Sequence, residues 1–265
     1  MSSRGTPFIA LLWIALLLGC SPPSDDDNSA ADDDDSAADD DDSADDDDSE
    51  CPPPFDEVGQ YGRFLLDGWP VHMRLELLQD DIVLGCAVFD HLTGDLATVR
   101  NALNGSRIER LRQVNIWVEV DEPQFPGAVY HPSAGWLADN GYPTEWAEGI
   151  QIGNAQNYLD WTTIQPAIVL HELSHAWHHQ VVGYSDPSLL AAYEAAMASG
   201  LYDAVEYANG TIQEAYATSN VQEYFAELSE AWFWSNDFQP FDRAELLTFD
   251  PTGATAVEQA WAVVP

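Results

Sequence analysis

The chain has 265 residues, with 46 acidic side chains against 8 basic ones, a net charge of −38 and no lysine at all. A charge balance of that size repels phosphate backbones and anionic lipid surfaces, so nucleic acid and acidic membranes are discounted as binding partners. Hydrophobic residues still make up 46%, with 10 tryptophans among them, enough for a sizeable core.

In chain order, residues 1–20 read MSSRGTPFIALLWIALLLGC. The apolar run over 8–18 has the length of a signal-peptide core and is short for a membrane span. The ending Leu17-Leu18-Gly19-Cys20 resembles a bacterial lipobox, with Leu18 a less usual residue at its position. That implies a signal peptide over 1–19, cleavage before Cys20 and a lipid anchor on the Cys20 thiol. The expectation is an exported lipoprotein held on a membrane, its domain facing the periplasm or the cell exterior. Plain secretion with a free Cys20 is the alternative. Residues 20–50 then make a linker of aspartate blocks separated by Ser-Ala, with nothing able to build a core. Like charges repel, so this stretch is expected to be an extended, solvated tether. Calcium binding by the aspartate blocks would need a turn that converges the ligands. Setting aside the sixteen acids of 21–50 leaves thirty against seven arginines over 51–265, a net charge of −23. The cysteine count is odd, at three; with Cys20 lipidated, an oxidising compartment favours a structural Cys51–Cys86 disulfide.

Residues 51–265 have the length of one domain. Segments 63–66 and 71–77 flank Asp67-Gly68-Trp69-Pro70, a hairpin signal. Residues 92–112 read as a helix beside the sheet, 114–120 as a cleanly alternating strand, and 149–153 as a further short strand. The Pro/Gly-rich stretch 122–143 reads as an ordered, irregular loop. From Gln165 the pattern turns helical. One helix has Pro166 in its first turn and runs to Gln180; a second opens at Asp186-Pro187 and closes before Gly200. A third covers 220–235 with Asn220 as its cap, and two short ones lie near 242–248 and 253–262. A small N-terminal sheet followed by helices predicts an α+β domain.

Residues 168–180 read IVLHELSHAWHHQ, in which His171-Glu172-Leu173-Ser174-His175 matches H-E-x-x-H. Residues four apart share a helix face, so His171 and His175 can present two imidazole nitrogens to one zinc ion. Glu172, on the adjoining part of that face, can take a proton from a zinc-activated water. The rest of the helix is apolar, and a buried glutamate there would be costly without a nearby cation. A catalytic zinc needs a third protein ligand and one open position. His178 follows His175 by three, but ligands from successive turns of one straight helix would be nearly collinear. The longer H-E-x-x-H-x-x-G-x-x-H pattern turns the chain with a glycine, and here that position holds His178. His178 and His179 are therefore expected to lie just behind the ligands or at the surface. The helix at 220–235 sets Glu223, Glu227 and Glu230 on one stripe, where they repel unless a positive centre is near. Glu223 is the expected third ligand. Glu227, one turn on, is placed to accept the second ring N–H of a liganding histidine, and Glu230 reads equally as a solvated acid. Tyr216, seven residues before Glu223, could set its hydroxyl against the oxyanion formed when water attacks an amide.

His171-Glu172-x-x-His175 followed by Tyr216, Asn220 and Glu223-Tyr224-Phe225-Ala226-Glu227 resembles the catalytic domains of the anthrax lethal factor group of zincin metallopeptidases. Tyr130-His131-Pro132-Ser133, Trp136-Leu137, Asn140-Gly141 and residues between Asn236 and Pro251 are also similar to a secreted branch of such peptidases. The resemblance implies a zincin-like fold, one Zn2+ held by His171, His175 and Glu223, Glu172 as the base, and Tyr216 assisting. The expectation is thus a monomeric, membrane-tethered zinc peptidase acting on a peptide or protein substrate, with 121–143 and 183–215 walling the cleft. A catalytically inactive, zinc-stabilised binding protein of the same fold is the alternative. A third reading makes the aspartate tract a calcium-responsive surface polymer with a passive domain.

Overall fold

Strand β1 (Asp56–Val58) pairs antiparallel with β2 (Tyr61–Leu66), which pairs antiparallel with β3 (Trp69–Arg74) in a computed structural model that describes residues 51–264. The expected signal peptide, the lipidated Cys20 and the aspartate tether lie outside the described residues. The β2–β3 turn is tighter than the four residues expected from sequence. Asp67 and Gly68 alone make it, with φ of 49° and 90°, the two positive angles a two-residue hairpin needs. Trp69 therefore starts the strand. Asp67 also accepts from Arg100 and Arg112 at 3.1 and 3.2 Å, which anchors the turn. The strand stops at Arg74 because Leu75 already has helical angles and opens a π-helical turn over Glu76–Asp80.

Helix α1 (Ile82–Ala102) begins ten residues earlier than the sequence suggested, with the Asp81 side chain capping Leu84 N. Its buried face is Gly85, Val88, Leu92, Leu96 and Val99, the spacing of one helix stripe. Gly85 disguises the pattern yet is required, since a Cβ there would sit 2.0 Å from the Leu77 carbonyl oxygen. Cys86, also on α1, is bonded to Cys51 with the two Cα atoms 5.8 Å apart, the pairing expected. After α2 (Ser106–Leu111) come β4 (Ile116–Val118), β5 (Ala128–Tyr130), α3 (Ala134–Asp139) and β6 (Ile150–Ile152). The sheet order is β1-β2-β3-β4-β6-β5, with β3, β4 and β6 parallel and β5 antiparallel at the edge. Two expectations are corrected here. The sheet does not precede the helices, since α1 and α2 form the crossover that parallel β3 and β4 require. The stretch 122–143, expected to be irregular, supplies edge strand β5 and helix α3.

Valines, isoleucines and Met73 on one sheet face join α1 and the later helices in the main core; Trp117, on the other face, gathers Phe125, Leu137 and Trp146 into a smaller one. Helix α4 (Ala155–Trp161), capped by Asn154 and not anticipated from sequence, packs on α1. The remaining helices follow the sequence reading except that Pro166 lies before α5 and not in its first turn: α5 (Ile168–Trp177), α6 (Pro187–Ser199) with Asp186 as its cap, α7 (Val221–Phe233), α8 (Arg243–Phe249) and α9 (Pro251–Trp261). A ribbon of β7 (Val205–Glu206) and β8 (Ile212–Gln213) precedes α7. Helix α5 lies between β5 and α7, and Trp177 at its end stacks on Trp261 of α9 at 5.0 Å. The architecture is a mixed sheet with helices, compatible with the α+β class.

Candidate metal centre

Helix α5 is buried almost throughout, so its polar side chains must be answered from neighbouring elements. His171, Glu172 and His175 are all among them. The imidazoles of His171 and His175 meet edge to face, with ring centroids 4.7 Å apart. Opposite them, α7 brings Glu223. The Asn220 side chain caps α7 by accepting from Gln222 N and Glu223 N at 2.9 and 3.0 Å, which sets the backbone of its first turn. Glu223 Oε2 then lies 3.1 Å from His171 Nε2 and 3.1 Å from His175 Nε2. Three ligand atoms of the types zinc prefers converge from two helices, as the sequence spacing suggested.

The electrostatics agree with that geometry. Burial alone would raise the pKa of Glu223, but the two imidazoles hold its carboxyl well below the usual range. Burial likewise opposes charge on His171, and Glu223 and Glu230 outweigh it, raising its pKa. The carboxylates thus call for positive charge at this point. Two imidazoles with one carboxylate suit Zn2+ and not calcium, which wants a shell of oxygens.

His171 is oriented from behind, though not by the residue expected. Its Nδ1 pairs with Glu230 Oε1 at 2.5 Å, while Glu227 Oε1 stands off at 4.0 Å. Glu230, read equally as a solvated acid, is 3% exposed. Glu227 turns instead to Asn236 Nδ2 at 3.3 Å, and burial beside Asp237 raises its pKa well above the ordinary value. Both glutamates lie on the face of α7 that meets α5, so the crossing of the two helices decides between them.

Glu172 is buried, which raises its pKa, and its Oε2 accepts from the backbone N–H of Tyr130 on β5 at 2.6 Å. Tyr216 stands on a short 3-10 turn (Tyr216–Thr218) just before α7, its ring over that of His171 at 6.3 Å. Burial and the nearby carboxylates push its hydroxyl pKa up, so it stays a donor. His178, expected just behind the ligands or at the surface, is 1% exposed between Tyr184 and Phe225, with no partner on either ring nitrogen among the described residues. Burial pushes its pKa down to about 3, which marks a neutral core side chain. His179 Nδ1 pairs with the Tyr130 hydroxyl at 2.9 Å. Tyr130 and Tyr184 fall in the two segments expected to wall the cleft, but sequence reasoning gave neither a role at the site. Tyr184 stacks on His179, and its hydroxyl pKa is raised by burial, then by the neighbouring Tyr130 and the carboxylates of Glu223 and Glu172. Neither tyrosine carries a spacing signal, because each reaches the site from outside α5 and α7. No family model, curated protein or solved structure matches this chain.

Proposed function

We propose that this chain is a zinc-dependent peptidase of zincin type, exported and tethered to a membrane through Cys20. The observation that carries the reading is the meeting of His171 Nε2, His175 Nε2 and Glu223 Oε2 with Glu172 alongside. Bound there, zinc supplies Lewis acidity, acidifying a water and polarising a carbonyl. Glu172 is the base: one oxygen is held by Tyr130 N–H, and the other is free to take a proton from the attacking water and pass it to the leaving amine. Tyr216, a donor above the His171 ring, steadies the negative oxygen of the tetrahedral intermediate. Glu230 keeps the His171 ring turned so that Nε2 faces the ligand cluster.

The test is zinc analysis together with cleavage of a peptide library by the purified chain. Wild type should hold one zinc and cleave. Glu172→Gln should hold the same zinc and lose on the order of 10²–10⁴-fold in turnover. A Glu172→Gln chain with full turnover sinks the base assignment. A zinc-loaded wild type that cleaves nothing, and loses only stability on chelation, is the binding protein instead.

A further inference from the structure

Strand β5 is three residues long and lies at the sheet edge, paired on one side only, to β6. Such a strand has little of its own to fix its position. Yet its last residue, Tyr130, provides the backbone N–H that Glu172 Oε2 accepts at 2.6 Å. The side chain of the same residue reaches two turns further along the helix. Its hydroxyl contacts His179 Nδ1 at 2.9 Å and Gln180 Nε2 at 2.9 Å. The Gln180 amide nitrogen can only donate, so the phenol oxygen accepts from it while it also pairs with His179 Nδ1. Gln180 Nε2 also lies 3.4 Å from the Glu148 carbonyl oxygen, just ahead of β6. One residue therefore ties the edge strand to α5 at Glu172 and to the π-helical turn (His178–Val182) that continues it.

We propose that Tyr130 is a positioning residue for Glu172: its phenol, latched to His179 and Gln180, fixes the strand whose N–H holds one oxygen of the carboxylate and aims the other. The proposal rests on Glu172 being the base of the reaction above. Burial pushes the Tyr130 hydroxyl up to about 12, so the latch proton stays in place throughout the neutral range. Without the latch, β5 can move relative to α5, and a base displaced by even a fraction of an ångström loses alignment with its proton.

The experiment pairs amide NMR of the full-length chain with kinetics. In wild type the residue-130 amide proton should lie far downfield, as a short bond to a carboxylate demands. Tyr130→Phe keeps the ring and the N–H but removes the latch. It should move that resonance upfield, keep zinc stoichiometry, and lower kcat on the order of tenfold with little change in KM. His179→Ala should do the same, and the double variant should be no worse than either single one. Glu172→Gln should move the same amide. A residue-130 amide indifferent to both Glu172→Gln and Tyr130→Phe overturns the proposal, as does full kcat in Tyr130→Phe. If the amide responds as stated but wild type cleaves no peptide, the hold on Glu172 stands and the peptidase reading fails.

Discussion

At the scale of single residues, the site depends on which carboxylate meets which ring nitrogen. Glu230 holds His171 Nδ1 at 2.5 Å, so Glu230→Gln should weaken zinc binding by roughly 10–100-fold, the usual cost of losing the partner behind a liganding histidine. Glu227 stands 4.0 Å from that nitrogen and turns to Asn236 instead, so Glu227→Gln should change zinc affinity by less than about threefold. Zinc titration against a competing chelator measures both; equal losses would show that the two glutamates share the task. The spacing of Glu223, Glu227 and Glu230 could be read from the sequence, but their division of labour could not. All three lie toward α5, and only the crossing of the two helices selects among them. His178 gives the same lesson. Its spacing left a place just behind the ligands and one at the surface both open, and Phe225 of α7, with Tyr184, closes over it.

At the scale of elements, α1 and α4 meet through a buried polar contact. Tyr158 donates to Asp95 Oδ2 at 2.5 Å, and His91 Nε2 lies 3.9 Å from Asp95 Oδ1. Burial raises the Asp95 pKa from 3.8 to about 6. An acid whose folded pKa is raised binds its proton more tightly folded than unfolded. Its contribution to stability is therefore greatest at low pH and is lost as pH rises from about 4 to about 6. Asp95→Asn keeps an acceptor for Tyr158 and removes the charge. The variant should unfold later than wild type at pH 7.5, by about 1–2 kcal/mol, and show no such gain at pH 4. Urea denaturation at the two pH values checks it; an equal effect at both would mean that Asp95 acts through packing alone. Helix α4 itself escaped the sequence reading because it is seven residues long with little apolar periodicity, and Asn154 is its main local signal.

At the scale of the whole molecule, the candidate centre joins the two long-range partners α5 and α7 across a junction rich in buried acid. Glu223, Glu227, Glu230 and Asp237 all lie there, with no arginine paired to them among the described residues, so a bound cation should stabilise the folded chain appreciably. Removing the metal with a chelator should lower Tm by several degrees, and zinc should restore it in proportion to ligand occupancy. A Tm indifferent to chelator and zinc would rule out a metal at this junction.

What the sequence determined by itself was everything that depends on spacing within one element. The H-E-x-x-H pair is set by four residues on one helix, and the Asn220 cap and Glu223 by three on another. What only the tertiary structure decided was every match between elements. The start of α1 behind Gly85, the edge strand at 128–130, Glu230 rather than Glu227 behind His171, and the Tyr130 latch all belong to that class. The physical reason is common to them: local periodicity states which face a side chain occupies, but the partner across the gap is chosen by how whole helices and strands pack.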